Sequence, residues 1–165
     1  MCVVKKGDKK RLCIDYSATV NLFTKTNAYL VPDAEEMAKE ISKRRYFSKL
    51  DLTAAYHHIP IPPSERKFTA FEADCKLYEF CYLPFGLTNS VSVFSRFMNK
   101  VISDNLDRVL NYLDDIIVVG NTKEEHDLRL KKLKEALKNN KLTINTSKSC
   151  YGVHQFHLLD SRSSI

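Results

Sequence analysis

The chain has 165 residues, 44% of them hydrophobic, which is enough for one domain with a sizeable core. Its 26 Lys and Arg against 20 Asp and Glu leave a net charge of +6, a balance that suits a polyanion such as nucleic acid. Four glycines form no phosphate-cradling loop, five cysteines (2, 13, 75, 81 and 150) form no C-x-x-C pair, and no apolar run nears the ~18 residues of a membrane span. A P-loop enzyme, a disulfide framework, a structural zinc site and an integral membrane protein are set aside on those grounds. The first residues lack a signal-peptide layout, so the expected location is cytoplasmic, not secreted.

Val3-Val4 and Leu12-Cys13-Ile14 flank a basic stretch with Gly7-Asp8 at its centre, which predicts a hairpin. Residues 17–31 read as irregular. Pro32-Asp33 opens a helix, with Asp33 and Glu36 spaced as a capping box and Ala34, Met37, Ala38 and Ile41 on one apolar face. Tyr46 to Leu52 reads as a strand that ends in Asp51, followed by a short turn or helix around Ala54-Ala55-Tyr56. Phe68 to Phe71 and Leu77 to Leu83 predict paired strands with Asp74-Cys75 near the turn. Asn89 caps a helix that buries Phe94, Phe97, Met98 and Val101.

Val109 to Val119 reads as two apolar strands joined at Asp114-Asp115. Thr122 and Glu125 form a second capping box, before a helix lined by Leu130, Leu133 and Leu137 that stops near Asn139-Asn140. Short strands around Leu142-Thr143-Ile144 and Tyr151-Gly152-Val153 finish the chain. Hairpins dominate, so the fold class is α+β, a largely antiparallel sheet with helices packed on one face.

A bare Asp-Asp pair is ordinary turn chemistry, because Asp hydrogen-bonds nearby backbone. Two like charges ~4 Å apart nevertheless repel by roughly 4 kcal/mol at an effective dielectric near 20. A divalent cation reverses that sign, and hard oxygen ligands suit magnesium. Asp51 ends one strand and Asp114-Asp115 join two others. If those strands are neighbours, three carboxylates meet at one sheet edge.

The motifs carry a resemblance. Tyr46-Phe47-Ser48-Lys49-Leu50-Asp51-Leu52 with Ala55-Tyr56-His57, then Leu83-Pro84-Phe85-Gly86-Leu87-Thr88-Asn89, then Tyr112-Leu113-Asp114-Asp115, resemble three ordered motifs of reverse transcriptases. The versions here are similar to gypsy-type long-terminal-repeat retrotransposon Pol polyproteins, from about Val4 to Leu159. Arg11 to Tyr16, Phe68 to Phe71 and Glu124-Glu125-His126 add to the match.

The resemblance implies an RNA-directed and DNA-directed DNA polymerase, joining a primer 3′ hydroxyl to an incoming dNTP on an RNA or DNA template. It implies a right-hand fold represented by the palm (about 46–59 and 81–159) and part of the fingers (about 1–45 and 60–80), with the thumb absent and 160–165 a divergent tail. Asp51, Asp114 and Asp115, with the Leu52 carbonyl, would hold two Mg²⁺ ions, for which Mn²⁺ can substitute. Arg11, Tyr56, Phe85, Gly86 and Asn89 would bind the nucleotide, Tyr56 excluding a 2′ hydroxyl and Gly86 letting backbone approach the ligand. Tyr112 would abut the primer end, and Lys148 would give a proton to the leaving pyrophosphate. Thumb, connection, RNase H and integrase domains are the expected companions in the polyprotein, inside virus-like particles and without a membrane.

Departures from the family pattern fall at Ser17, Val91, Tyr29 to Pro32, and Leu159-Asp160, where a Leu-Gly turn would grip the primer. They leave a second expectation open, a catalytically inactive, truncated relic that at most binds nucleic acid. A metal-dependent phosphodiesterase using the same acids is the third, and a nuclease needs no sugar-excluding tyrosine.

Overall fold

A computed structural model describes residues 2–6, 9–27, 34–103, 108–112 and 115–153. The chain divides into two compact units, Met1–Tyr29 with Ala54–Phe94, and Leu30–Thr53 with Ser95–Ile165.

In the first unit, strands β1 (Cys2–Lys6) and β2 (Lys9–Cys13) pair antiparallel with Lys6 opposite Lys9. That register leaves two residues between them, as the hairpin reading requires; Gly7 and Asp8 themselves lie outside the described residues. A single helical turn, α1 (Val20–Phe23), interrupts the segment expected to be irregular. Ala55–His58 forms a 3₁₀ turn. Helix α2 (Ala34–Ser42) falls in the second unit, and the first continues with α3 (Pro63–Arg66) and a 3₁₀ turn at Lys67–Thr69.

The strand expected from Phe68 therefore begins only at β4 (Phe71–Ala73), which pairs with β5 (Lys76–Tyr78). The reason is local. Pro63 sits in the first helical turn, where its fixed φ is already helical, and Thr69 Oγ1 donates back to the Arg66 carbonyl at 2.7 Å. Asp74 and Cys75 have φ of 50° and 57°, the left-handed pair that a two-residue hairpin turn demands. Residues 79–83 hold only an isolated bridge, Pro60 to Tyr82, where a strand up to Leu83 was expected. Buried Tyr16 ties this unit together, its hydroxyl donating to the Thr69 carbonyl at 3.0 Å. Burial pushes that phenol up to about 12.

The second unit is built on a four-stranded antiparallel sheet in the order β6 (Val109–Tyr112), β7 (Asp115–Gly120), β3 (Tyr46–Asp51), β8 (Cys150–Val153). Of the two short strands expected near the C-terminal end, the one at 142–144 is reduced to one bridge, Ile144 to Leu52. Opposed residues of antiparallel strands share a face. Phe47, Ile117 and Val119 therefore look the same way, and α2 (Ala34–Ser42) lays Met37 and Ile41 on them. Ala38, expected on that apolar face, is exposed; Asp33, the expected cap, lies outside the described residues.

The opposite face takes α5 (Lys123–Asn139), whose Leu133 and Leu137 are fully buried. Thr122 caps it, accepting from the Glu125 N–H at 3.2 Å, while Glu125 reaches back to the Asn121 N–H at 3.1 Å. The remaining helix, α4 (Ser90–Ser103), buries Phe94, Met98 and Val101 as its spacing predicts, and Ile102 besides; Phe97 is only half-buried.

A buried polar clip joins α5 to the sheet. Ser48 Oγ lies 2.8 Å from His126 Nε2 and accepts the Gly152 N–H at 3.1 Å, and His126 Nδ1 lies 3.0 Å from Asp127 Oδ1. The sequence Ser, His, Asp has the look of a hydrolase triad. Ser48 is wholly buried, however, so no substrate can reach its hydroxyl, and the clip is structural.

Candidate active site

The register of β3 on β7 sets the site. Asp51 stands directly opposite Asp115, and Tyr112 of β6 stands opposite Asp115 on its other side. Lys49, two residues before Asp51, shares their face. Along that face the strands run from Phe47 and Val119 at one end to Asp51 and Asp115 at the other.

Directly opposed side chains of a sheet have Cβ atoms about 4.5–5.5 Å apart, and like charges there are destabilising. Two lysines offset the repulsion. Lys49 Nζ lies 2.6 Å from Asp115 Oδ2, a diagonal cross-strand pair, and Lys148 Nζ lies 4.0 Å from Asp51 Oδ2. The side chains of Asp51 and Asp115 are 23% and 25% exposed, so both carboxylates remain open to a ligand.

The segment before β8 fixes Asp51 from behind. The Asp51 N–H donates to Ser149 Oγ at 3.1 Å, and its carbonyl accepts the Asn145 N–H at 2.8 Å. Ser149 Oγ donates in turn to the Asn145 carbonyl at 2.7 Å. This turn is what delivers Lys148 to the acid. Leu52 is buried and bridges Ile144.

Asp114 and Leu113 lie outside the described residues, so the expected three-acid cluster is described through two members. Among the described residues, no three His, Cys, Asp or Glu side chains form a metal-holding group. The donor set nevertheless fits a hard divalent cation: two carboxylates face each other, half-open, on one sheet face. Asp115 belongs to strand β7 itself rather than to the turn, which corrects the reading of both acids as turn residues.

Within the first unit the second motif is also ordered. Tyr56 is half-buried, its ring edge-on to Phe85 (5.0 Å between centroids) and Phe94 (5.2 Å). Gly86 has φ +95°, and a Cβ there would stand 2.7 Å from the Ile14 carbonyl oxygen. The close approach that requires this glycine is thus to the protein's own backbone. Its carbonyl accepts from Asn21 Nδ2 at 2.8 Å.

The Asn89 side chain, expected to cap α4, is engaged elsewhere. Its Oδ1 accepts the Asn27 N–H at 2.9 Å and its Nδ2 donates to the Lys25 carbonyl at 3.0 Å. Arg11 occupies β2 opposite Val4.

Three residues at the acid site escaped the sequence reading: Lys49, Asn145 and Ser149. Lys49 alone carried a signal, a charge in an otherwise apolar strand two positions from a candidate ligand.

A family model described as reverse transcriptase (RNA-dependent DNA polymerase) matches residues 3–160. A putative enzymatic polyprotein of Cassava vein mosaic virus is 32% identical over 145 residues, 88% of this chain and 22% of that protein. The Transposon Tf2-3 polyprotein of Schizosaccharomyces pombe is 31% identical over 149 residues, 90% of this chain and 11% of the relative. The chain thus spans about a tenth to a fifth of these curated relatives' length.

Among solved structures, a foamy viral protease-reverse transcriptase in complex with double-stranded DNA superposes with a TM-score of 0.86 at 25% identity, over 95% of this chain and 28% of that one. The same viral enzyme with an RNA/DNA hybrid gives 0.81 at 24% identity, over 90% of this chain and 20% of that one, a likeness of fold.

Proposed function

The chain belongs to the reverse transcriptase (RNA-dependent DNA polymerase) family, and from that premise we propose that its acid site extends a DNA primer on an RNA or DNA template. One observation carries the reading: Asp51 and Asp115 face each other across β3 and β7 with Lys148 beside them. Asp51, Asp114 and Asp115, with the Leu52 carbonyl, would hold two magnesium ions. Bound there, such ions lower the pKa of an attacking hydroxyl and neutralise the charge on the triphosphate.

The chain's own residues do the rest. Asp51 is held rigid through both its N–H and its carbonyl, so its carboxylate starts from a fixed backbone. Lys148, next to Asp51, is the proton donor to the leaving pyrophosphate. Tyr112, beside Asp115, meets the primer end. In the first unit, Arg11 holds triphosphate oxygens with its forked guanidinium. Tyr56, braced edge-on by two phenylalanines, is the ring that excludes a ribose 2′ hydroxyl. Phe85, Gly86 and Asn89 shape the nucleotide pocket.

The resemblance of the motifs to gypsy-type polyproteins supports an intracellular retrotransposon polyprotein as the setting, in which other Pol domains would supply the remaining grip on the nucleic acid. The solved relatives that superpose on this chain hold double-stranded DNA and an RNA/DNA hybrid, which supports such partners here.

The test is primer extension on an RNA template by the chain joined to its downstream domains, with magnesium against chelator. Asp114→Asn is expected to abolish magnesium-dependent incorporation, and normal extension by that variant would sink the site. Tyr56→Ala is expected to admit ribonucleotides that the parent rejects; continued exclusion would return Tyr56 to a packing role. Shortening of the primer would point to a nuclease instead.

A further inference from the structure

Lys49 is out of place on its strand. Ile117 stands opposite it, with Phe47 and Val119 on one side along that face and the two acids on the other, and its ammonium reaches diagonally to 2.6 Å from Asp115 Oδ2. The ammonium of Lys148 stands on the other acid, 4.0 Å from Asp51 Oδ2. Each of the two opposed carboxylates therefore has its own cation from the chain.

We propose that Lys49 is a positioning residue of the metal site, a built-in counter-ion that holds Asp115 in place and sets the affinity for divalent cations. The inference rests on the proposed polymerase site. Without ions, the directly opposed Asp51 and Asp115 repel, and Lys49 offsets that repulsion from the strand itself. When a dication enters between the acids, the same ammonium opposes it within a few ångströms. Lys49 thus trades metal affinity for an acid pair that stays folded and aimed before metal arrives. Lys148 sits on an exposed turn, with 58% of its side chain open, and can swing away, whereas Lys49 is anchored on β3 and is 31% open. The cation that the metal must work against is therefore Lys49.

Removing the charge while keeping the stem, Lys49→Met, separates these effects. Manganese binding by the 165-residue chain, followed by loss of the free Mn²⁺ paramagnetic signal, is expected to tighten about tenfold, the scale of one unit charge a few ångströms from a dication in a largely wet site. The thermal midpoint in chelator is expected to fall, and the gain on adding Mn²⁺ to exceed that of the parent. Lys49→Arg, which keeps the charge, is expected to behave as the parent does. Unchanged or weaker Mn²⁺ binding in Lys49→Met, where Asp51→Asn does abolish it, would overturn the role of Lys49 alone. An Asp51→Asn chain that binds Mn²⁺ as tightly as the parent would overturn the acid site, and the inference with it.

Discussion

The two ends of one sheet face differ more than the two faces do. At one end Phe47 and Val119 are buried under Met37 and Ile41 of α2. Four residues along β3, Asp51 meets Asp115, with Lys49 and Lys148 beside them. The same two strands, in one unbroken register, carry a core at one end and an open charged cluster at the other. Stability is collected where the helix covers the sheet. The acid end keeps like charges opposed, an arrangement that costs stability.

The largest test of that division sets Phe47→Ala against Asp51→Asn. Phe47 is 4% exposed, and truncating a buried phenylalanine costs about 3–5 kcal/mol. Asp51→Asn removes one of two opposed charges, and the partly exposed pairs it breaks are worth about 0–1 kcal/mol. Urea unfolding in chelator should therefore show a large fall in midpoint for the first variant and almost none for the second. Manganese binding should be lost only in the second. Equal destabilisation by both would mean that the acid end supports the fold as much as the core does.

The core end was legible in the sequence because its signals are local. The Thr122 and Glu125 spacing fixes where α5 begins, and Leu133 and Leu137 fall on its buried stripe. The alternation in Tyr46 to Asp51 gives the strand and its last residue. Register is a different matter. Nothing along the chain says that Asp51 faces Asp115 rather than a neighbour, and a slip of one residue would turn either acid to the other face. Lys49 was therefore visible as an oddity but not as a partner.

Phe68 misled for a related reason. Phe68 and Phe71 are compatible with either a strand or a helical turn, and the decision lay with Pro63 and the Thr69 hydroxyl, which close the chain into helical turns. At Leu142 to Ile144 the apolar residues do touch β3, but only through one bridge at its end. Gly86 was singled out for a close approach to a ligand, and its positive φ and the Ile14 carbonyl require glycine there in any case.

Gly120 allows a smaller and sharper test of the same contrast, because it ends β7 at the covered side, five residues from Asp115. A Cβ built on it would lie 2.7 Å from His126 Cβ, 2.8 Å from its N and 2.9 Å from its Cα. Two of those atoms are backbone in the first turn of α5, and neither side can give way. His126 is held by Ser48 and Asp127, and the Gly120 carbonyl accepts the Arg45 N–H at 3.2 Å. Gly120→Ala should cost about 1–3 kcal/mol by forcing the strand and the helix apart. The folded fraction should still bind Mn²⁺ with the parent's affinity, since the Asp51 to Asp115 register is fixed by the β3 and β7 pairs in between. Weakened binding in fully folded Gly120→Ala would show that the helix contact at one end of β7 is transmitted to the acids at the other, and the two ends would then be one mechanical unit.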